Sequence, residues 1–120
     1  TNIRESMRLT QPDSRETARV WIENNISRNS KIAIESYSPF IDPNLYHVDS
    51  YPLMIDKPSS YYIDQGYHFL VFSGGEYLRF FDSSHRYDVQ AAQYQTLFDS
   101  FPLVKTFTDN GFTIKILRVP

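Results

Sequence analysis

The spacing of apolar residues changes period several times along the chain, and each change marks an element. Ala18, Trp21, Ile22 and Ile26 recur at helical spacing behind Asp13 and Glu16, which stand in the relation of a capping box. They predict a helix over 14–25. A polar turn, Ser27 to Ser30, separates it from the run Lys31 to Tyr37, whose centre is Ile32, Ala33 and Ile34. So continuous an apolar run predicts a strand covered on both faces. Pro39, Pro43, Pro52 and Pro58 then lie among Asp, Asn and Ser, which excludes a long helix and predicts an irregular connection over 38–60.

Tyr67 to Ser73 predicts a second buried strand, turned by Gly74 and Gly75 into a short aromatic helix containing Tyr77, Phe80 and Phe81. Asp88 is placed to cap a further helix, on which Tyr94, Leu97, Phe98 and Phe101 keep helical spacing as far as Pro102. Leu103 to Thr108 and Phe112 to Val119 read as two strands joined by Asp109, Asn110 and Gly111, a turn suited to a hairpin. In the last strand Phe112, Ile114 and Ile116 alternate with Thr113 and Lys115, which predicts one face open to solvent. These elements predict an α/β layered sheet, mainly parallel at its centre, closed by a C-terminal antiparallel hairpin and flanked by about three helices. Residues 1–12 read as a polar lead-in, and 13–120 as one domain.

Composition adds three constraints. A chain of 120 residues holds one core and no more. Hydrophobic residues at 41% and charged residues at 22% place it among globular domains and exclude wholesale disorder. The aromatic share, 16% with nine Tyr and nine Phe, exceeds the needs of a core this size and predicts tyrosines that are either half-buried with wet hydroxyls or at the surface as a binding or docking face. A net charge of −2 with dispersed basic residues leaves no footprint for a phosphate backbone, so nucleic acid is excluded as a partner. Without cysteine the chain forms no disulfide and has no thiolate chemistry, and it is indifferent to redox compartment. No apolar run approaches the ~20 residues that span a bilayer.

Candidate chemistry is sparse. His47, His68 and His85 are too far apart for a helical metal pair, so no metal or other cofactor is expected. His68 falls in a strand pattern and the other two in loops. Ser73, Gly74 and Gly75 stand between strand and helix, where amides favour anions, yet the full GxGxxG or GxxxxGK pattern is missing and a plain glycine turn accounts for them. Ligands of parallel sheets bind beyond the carboxyl ends of the strands, which gathers Glu35, Tyr37, Ser73, Gly74, Tyr77 and Arg79 as the candidate ligand-binding set. Glu35 could serve as a base if burial raised its pKa. It has no second acid or nucleophile beside it in sequence, and a structural carboxylate is its expected role. Ser73 has no GxSxG elbow around it, and no catalytic residue is assigned. A stand-alone module binding an anion near Ser73 and Gly74 is the alternative reading on these residues.

The order of motifs also resembles a known family. Asp13, Arg15, Ala18, Trp21, Ile22, Asn25 and Ile26, followed by a strand opening Lys31, Ile32 and Ala33, resemble the segment after the last membrane helix of polyprenyl-phosphate-sugar glycosyltransferases of the protein-mannosyltransferase type. Tyr67 with Phe69 to Val71 and Ser73, Tyr77 with Arg79 and Phe80, Tyr94 with Leu97 and Phe98, Leu103 to Lys105 with Phe107, and Ile114 with Ile116 follow in the order of such tails. Departures fall at turns: Ser27 to Ser30 and Gly111-Phe112 stand where those tails often carry Pro-Gly and Gly-Pro. The resemblance implies an accessory, non-catalytic domain on the extracytoplasmic side of a cell membrane. Its parent enzyme would move sugar from a polyprenyl-phosphate donor, and the family's catalytic acids lie in the membrane part. The implied partners are that membrane part and a glycan or lipid-linked acceptor.

Overall fold

The computed structural model describes residues 13–81, 86–108 and 112–120. The proposed lead-in over 1–12, His85 and the hairpin turn Asp109 to Gly111 lie outside the described residues. Helix α1 spans Ser14–Asn25, with Asp13 accepting the Glu16 N–H as its N-cap. The Glu16 carboxylate does not complete the box, because both its oxygens bind Arg19 one turn on. At the other end the Tyr46 hydroxyl reaches the Ile26 carbonyl and also the Ile22 carbonyl, which already accepts the Ile26 N–H.

Strand β1 spans Lys31–Glu35 and β2 His47–Tyr51. A 3-10 turn, Met54–Asp56, and helix α2, Ser59–Asp64, lead to β3, Phe69–Ser73. Helix α3, Gly74–Tyr77, runs on into a 3-10 turn, Leu78–Phe81. Helix α4, Asp88–Ser100, precedes β4, Leu103–Phe107, and β5, Ile114–Arg118. The sheet order is β2-β1-β3-β5-β4. Its first three strands are parallel and β5 pairs antiparallel with both β3 and β4, the mixed α/β sheet expected from the pattern.

Both faces of this sheet are covered. Ile32, Val71, Ile114 and Ile116 project to one face, where Ala18, Ile22 and Ile26 of α1 pack with Ile41 and Tyr46. Ala33, Leu70, Phe72 and Leu117 project to the other, against Tyr94 and Leu97 of α4, Tyr62 of α2 and Tyr77 of α3. Alternation along each strand sends neighbours to opposite layers, as a pleated strand requires.

Several expectations change. The connection over 38–60 is not wholly irregular: it contains β2, the 3-10 turn and the start of α2. Strand β2 carries mostly exposed or half-buried residues and is ordered by its pairing to β1, from Lys31 with His47 to Glu35 with Tyr51. His47 is therefore a strand residue, whereas His68 precedes β3, is exposed, and accepts the Lys31 N–H on Nδ1. The first strand stops at Glu35, two residues before Tyr37, whose positive φ of 64° takes it out of extended geometry. Tyr87, not Asp88, is the N-cap of α4. The last strand is not open on one face, because Leu117 is buried under α4 and Lys115 lies half-buried with its ammonium over the Phe98 ring.

Candidate functional site

The carboxyl ends of β1 and β3 lie side by side, and there the candidate residues divide into a closed centre and an open rim. Glu35, last in β1, is 1% exposed and directed into the layer beneath α4. Its Oε2 accepts the Met54 N–H at 2.9 Å and the Tyr94 hydroxyl at 2.8 Å. Its Oε1 is buried without a hydrogen-bond partner. Burial pushes the carboxyl up to about 7, opposed by the Met54 and Tyr94 bonds; the nearby Glu76 charge adds to the rise and Arg79 offsets it.

Tyr94 and Tyr77 surround this acid. Both phenols are buried and held in the protonated form by desolvation together with the Glu35 charge, Tyr77 up to about 12. Their rings belong to a cluster with Phe80, Phe81 and Phe98 at centroid separations of 5.3–6.4 Å. Arg79 is largely exposed, binds the buried Glu76 carboxylate at 2.7 Å and lies over the Phe80 ring. At 1% exposure, Glu35 acts as a structural group that holds the start of the 3-10 turn and α4 to the end of β1.

Ser73 and Gly74 form the turn between β3 and α3. The Gly74 N–H donates to the Thr113 carbonyl at 2.7 Å and the Gly75 N–H to Ser73 Oγ at 3.3 Å, so both amides are engaged within the protein. A Cβ on Gly74 would stand 2.8 Å from Leu78 Cδ1 and 3.3 Å from the Thr113 nitrogen; the glycine is required by this close approach of β3 to β5.

Tyr37 leaves the set. Its backbone turns the ring outward, 54% exposed, to meet Phe112 edge-on at 5.4 Å. The Arg15 guanidinium lies 5.7 Å from the Phe112 ring centroid, and Ser14 Oγ donates to the Phe112 carbonyl. Phe40 stands 67% exposed on the wall of an open cleft of about 470 Å³ lined also by Asp13, Arg15, Glu16 and Ser38. A second cleft, about 370 Å³, separates α4 from the 3-10 turn before α2 and is lined by Asp56, Lys57, Gln93 and Thr96 among others.

Of the two placements expected for the tyrosines, the half-buried one holds for Tyr51, Tyr61 and Tyr87, and five others are buried outright. Tyr37 alone of the nine is exposed, and the exposed aromatic surface is chiefly phenylalanine. Tyr67 donates to Asp49, Tyr51 lies 2.5 Å from Tyr67, and Tyr61 lies 3.1 Å from Tyr51. Since the Asp49 carboxylate only accepts, donation runs from Tyr61 through Tyr51 and Tyr67 to Asp49 and ties β2 to α2 and to the entry of β3.

Sequence reasoning missed Tyr94 and Glu76 as neighbours of Glu35, and Phe112 as the neighbour of Tyr37. Helical spacing marked Tyr94 as a core position, but no local signal pairs it with an acid 59 residues away. Among the described residues no group of His, Asp and Glu is arranged to hold a metal ion, and no helix is long and apolar enough to cross a membrane.

Fold and site define a class: a two-face-covered, mixed-sheet α/β domain with a buried acid at one strand end. No known protein family, curated protein or solved structure matches the chain.

Proposed function

We propose that this chain is the accessory, extracytoplasmic domain of a membrane-bound glycosyltransferase that uses a polyprenyl-phosphate-sugar donor, and that the domain is itself non-catalytic. The motif order read from the sequence supports the first part. Ala18, Ile22 and Ile26 of that motif form the inner face of α1, and Leu70, Val71, Ile114 and Ile116 fill the sheet. The motif is thus a scaffold, which suits a domain whose parent carries the chemistry in its membrane part.

The observation that carries the non-catalytic reading is the enclosure of Glu35. The carboxyl with a raised pKa is 1% exposed, and the carboxylates at the open cleft, Asp13 and Glu16, are each bound by an arginine. The domain serves by covering the mouth of the active site, with its cleft at the N-terminal end of α1.

Reading the native coding sequence upstream of Thr1 tests this. Several apolar stretches of about 20 residues, with acidic residues in the first outer loop, are expected. A start codon immediately upstream with no such stretch overturns the reading.

A further inference from the structure

We propose that one end of the sheet rests on a phospholipid bilayer, with Tyr37, Phe112, Leu78 and Phe81 entering the boundary between headgroups and acyl chains; that this bilayer is the one holding the parent enzyme rests on the function proposed above. The four side chains form a connected row. Tyr37 meets Phe112 edge-on at 5.4 Å. The Phe112 ring lies over Gly75, where an added Cβ would come within 2.9 Å of it, and Leu78 lies over neighbouring Gly74 in the same way at 2.8 Å. Leu78 and Phe81 stand three residues apart on one 3-10 turn, a spacing that sets side chains one above the other. Exposure along the row from Tyr37 to Phe81 is 54%, 39%, 51% and 41%. Large apolar side chains left half in water and joined in this way mark an interaction surface, whereas the same residues scattered singly would not.

Position selects the occupant. Tyr37 follows the end of β1 by two residues, the glycines open the segment after β3, and Phe112 stands two residues before β5, which runs antiparallel to β3. The whole row therefore lies at one end of the sheet. Helix α1 begins at that same end: Ser14 Oγ donates to the Phe112 carbonyl, and the Arg15 guanidinium lies 5.7 Å from the Phe112 ring centroid. Residues 1–12 precede Asp13 in the sequence and reach at most about 40 Å. Under the proposed function a membrane helix ends upstream of them, so the tether arrives beside the apolar row and not at the opposite end, where β1 and β3 begin.

The chemistry of the row agrees with that position. Aromatic rings with aliphatic neighbours are the side chains that settle at headgroup level. Two arginines flank them, Arg15 over Phe112 and Arg79 at 4.7 Å over Phe80, and stay 43% and 59% exposed. An arginine so placed lays its stem on apolar surface and keeps its head among the headgroups. Each is paired, Arg15 with Asp13 and Arg79 with Glu76, so the surface does not depend on anionic lipid and phosphatidylcholine suffices. Four half-exposed side chains give weak, reversible attachment, which a tether makes persistent by raising the local concentration of bilayer.

The chain has no cysteine, so Thr1→Cys supplies a single thiol for coupling to a maleimide lipid in phosphatidylcholine nanodiscs. The tethered, isotope-labelled 120-residue chain is then followed by NMR in the presence of a lipid carrying a nitroxide just below its headgroup. Tyr37, Leu78, Phe81 and Phe112 should broaden most, whereas Ile63 and Leu103, apolar and exposed near the start of β3, should not. Tyr37→Ser together with Leu78→Ser should lower the ratio of docked to undocked chain about tenfold, read as lost broadening along the row. Ile63→Ser should leave the pattern as it is. Both substituted side chains are more than half exposed, and an unchanged core spectrum verifies the fold; if the pair disturbs it, Leu78→Ser alone repeats the comparison. The proposal is overturned if broadening is uniform over the surface, if it survives these substitutions, or if it requires phosphatidylserine. It is equally overturned if the row shifts with protein concentration in the absence of lipid, which makes it a contact between copies of the chain. Failure here, with membrane spans found upstream of Thr1, removes the docking surface and leaves the accessory domain standing. Docking without such spans upholds the surface and removes only the assignment to a parent enzyme.

Discussion

Glu35 illustrates how a single side chain inverts its usual effect on stability. An ordinary carboxylate is ionised and favoured in the folded state by nearby cations or hydrogen bonds; Glu35 is enclosed, and its pKa rises from an unfolded value near 4.5 to about 7. A raised folded pKa means that the native state holds the proton more tightly than the unfolded chain. The stabilisation is therefore complete below the unfolded value and is lost as pH rises through the folded one. Between about pH 4.5 and about pH 7 this residue should remove about 3 kcal/mol of stability. Urea denaturation at the two ends of that window measures the loss. Glu35→Gln, which cannot ionise, should flatten the slope; an unchanged slope would show that other groups carry it.

Among the elements, the junction of β3 with α3 is the tightest. Gly74 sits where β3 stops, α3 starts and the chain leading into β5 passes at van der Waals distance. Gly74→Ala places a methyl group against Leu78 and the Thr113 nitrogen, and only the leucine has freedom to move. It should cost about 1–3 kcal/mol, read as a lowered urea midpoint at unchanged slope. Gly75 is the contrasting case, since its added Cβ would meet the Phe112 ring at 2.9 Å. That ring is partly exposed and able to swing, so Gly75→Ala should be milder and should displace Phe112 from Tyr37.

For the whole molecule, protection follows the sheet order. Strand β3 is hydrogen-bonded on both sides, to β1 and β5, and lies between the α1 and α4 layers. Strands β2 and β4 are edges with mainly exposed or half-buried residues. Hydrogen exchange should be slowest at Leu70 to Phe72 and fastest, among strand amides, in β2 and β4. Comparable protection in β2 and β3 would mean that the tyrosine network ending on Asp49 makes the edge part of the same cooperative unit.

What the sequence determined by itself was whatever a local pattern of burial can express. The bounds of α1, the aromatic helix after Gly75 and the strand pair β4 and β5 are legible from the spacing of their apolar residues and from turn residues, and β1 and β3 from continuous apolar runs that burial on both faces produces. The α/β class followed from their order. Tertiary structure alone decided the rest. Strand β2 has no strong period and is a strand because β1 offers it an edge; Glu35 is a buried acid with a raised pKa because the elements that carry Tyr94 and Met54 pack over it; and Tyr37 is a surface ring because its backbone turns at the end of β1. The cleft that joins Arg15 and Ser38 to Phe40, and the Tyr37–Phe112 contact beside it, draw on residues distant in sequence, and side chains that converge from separate elements leave no periodic trace in any one of them.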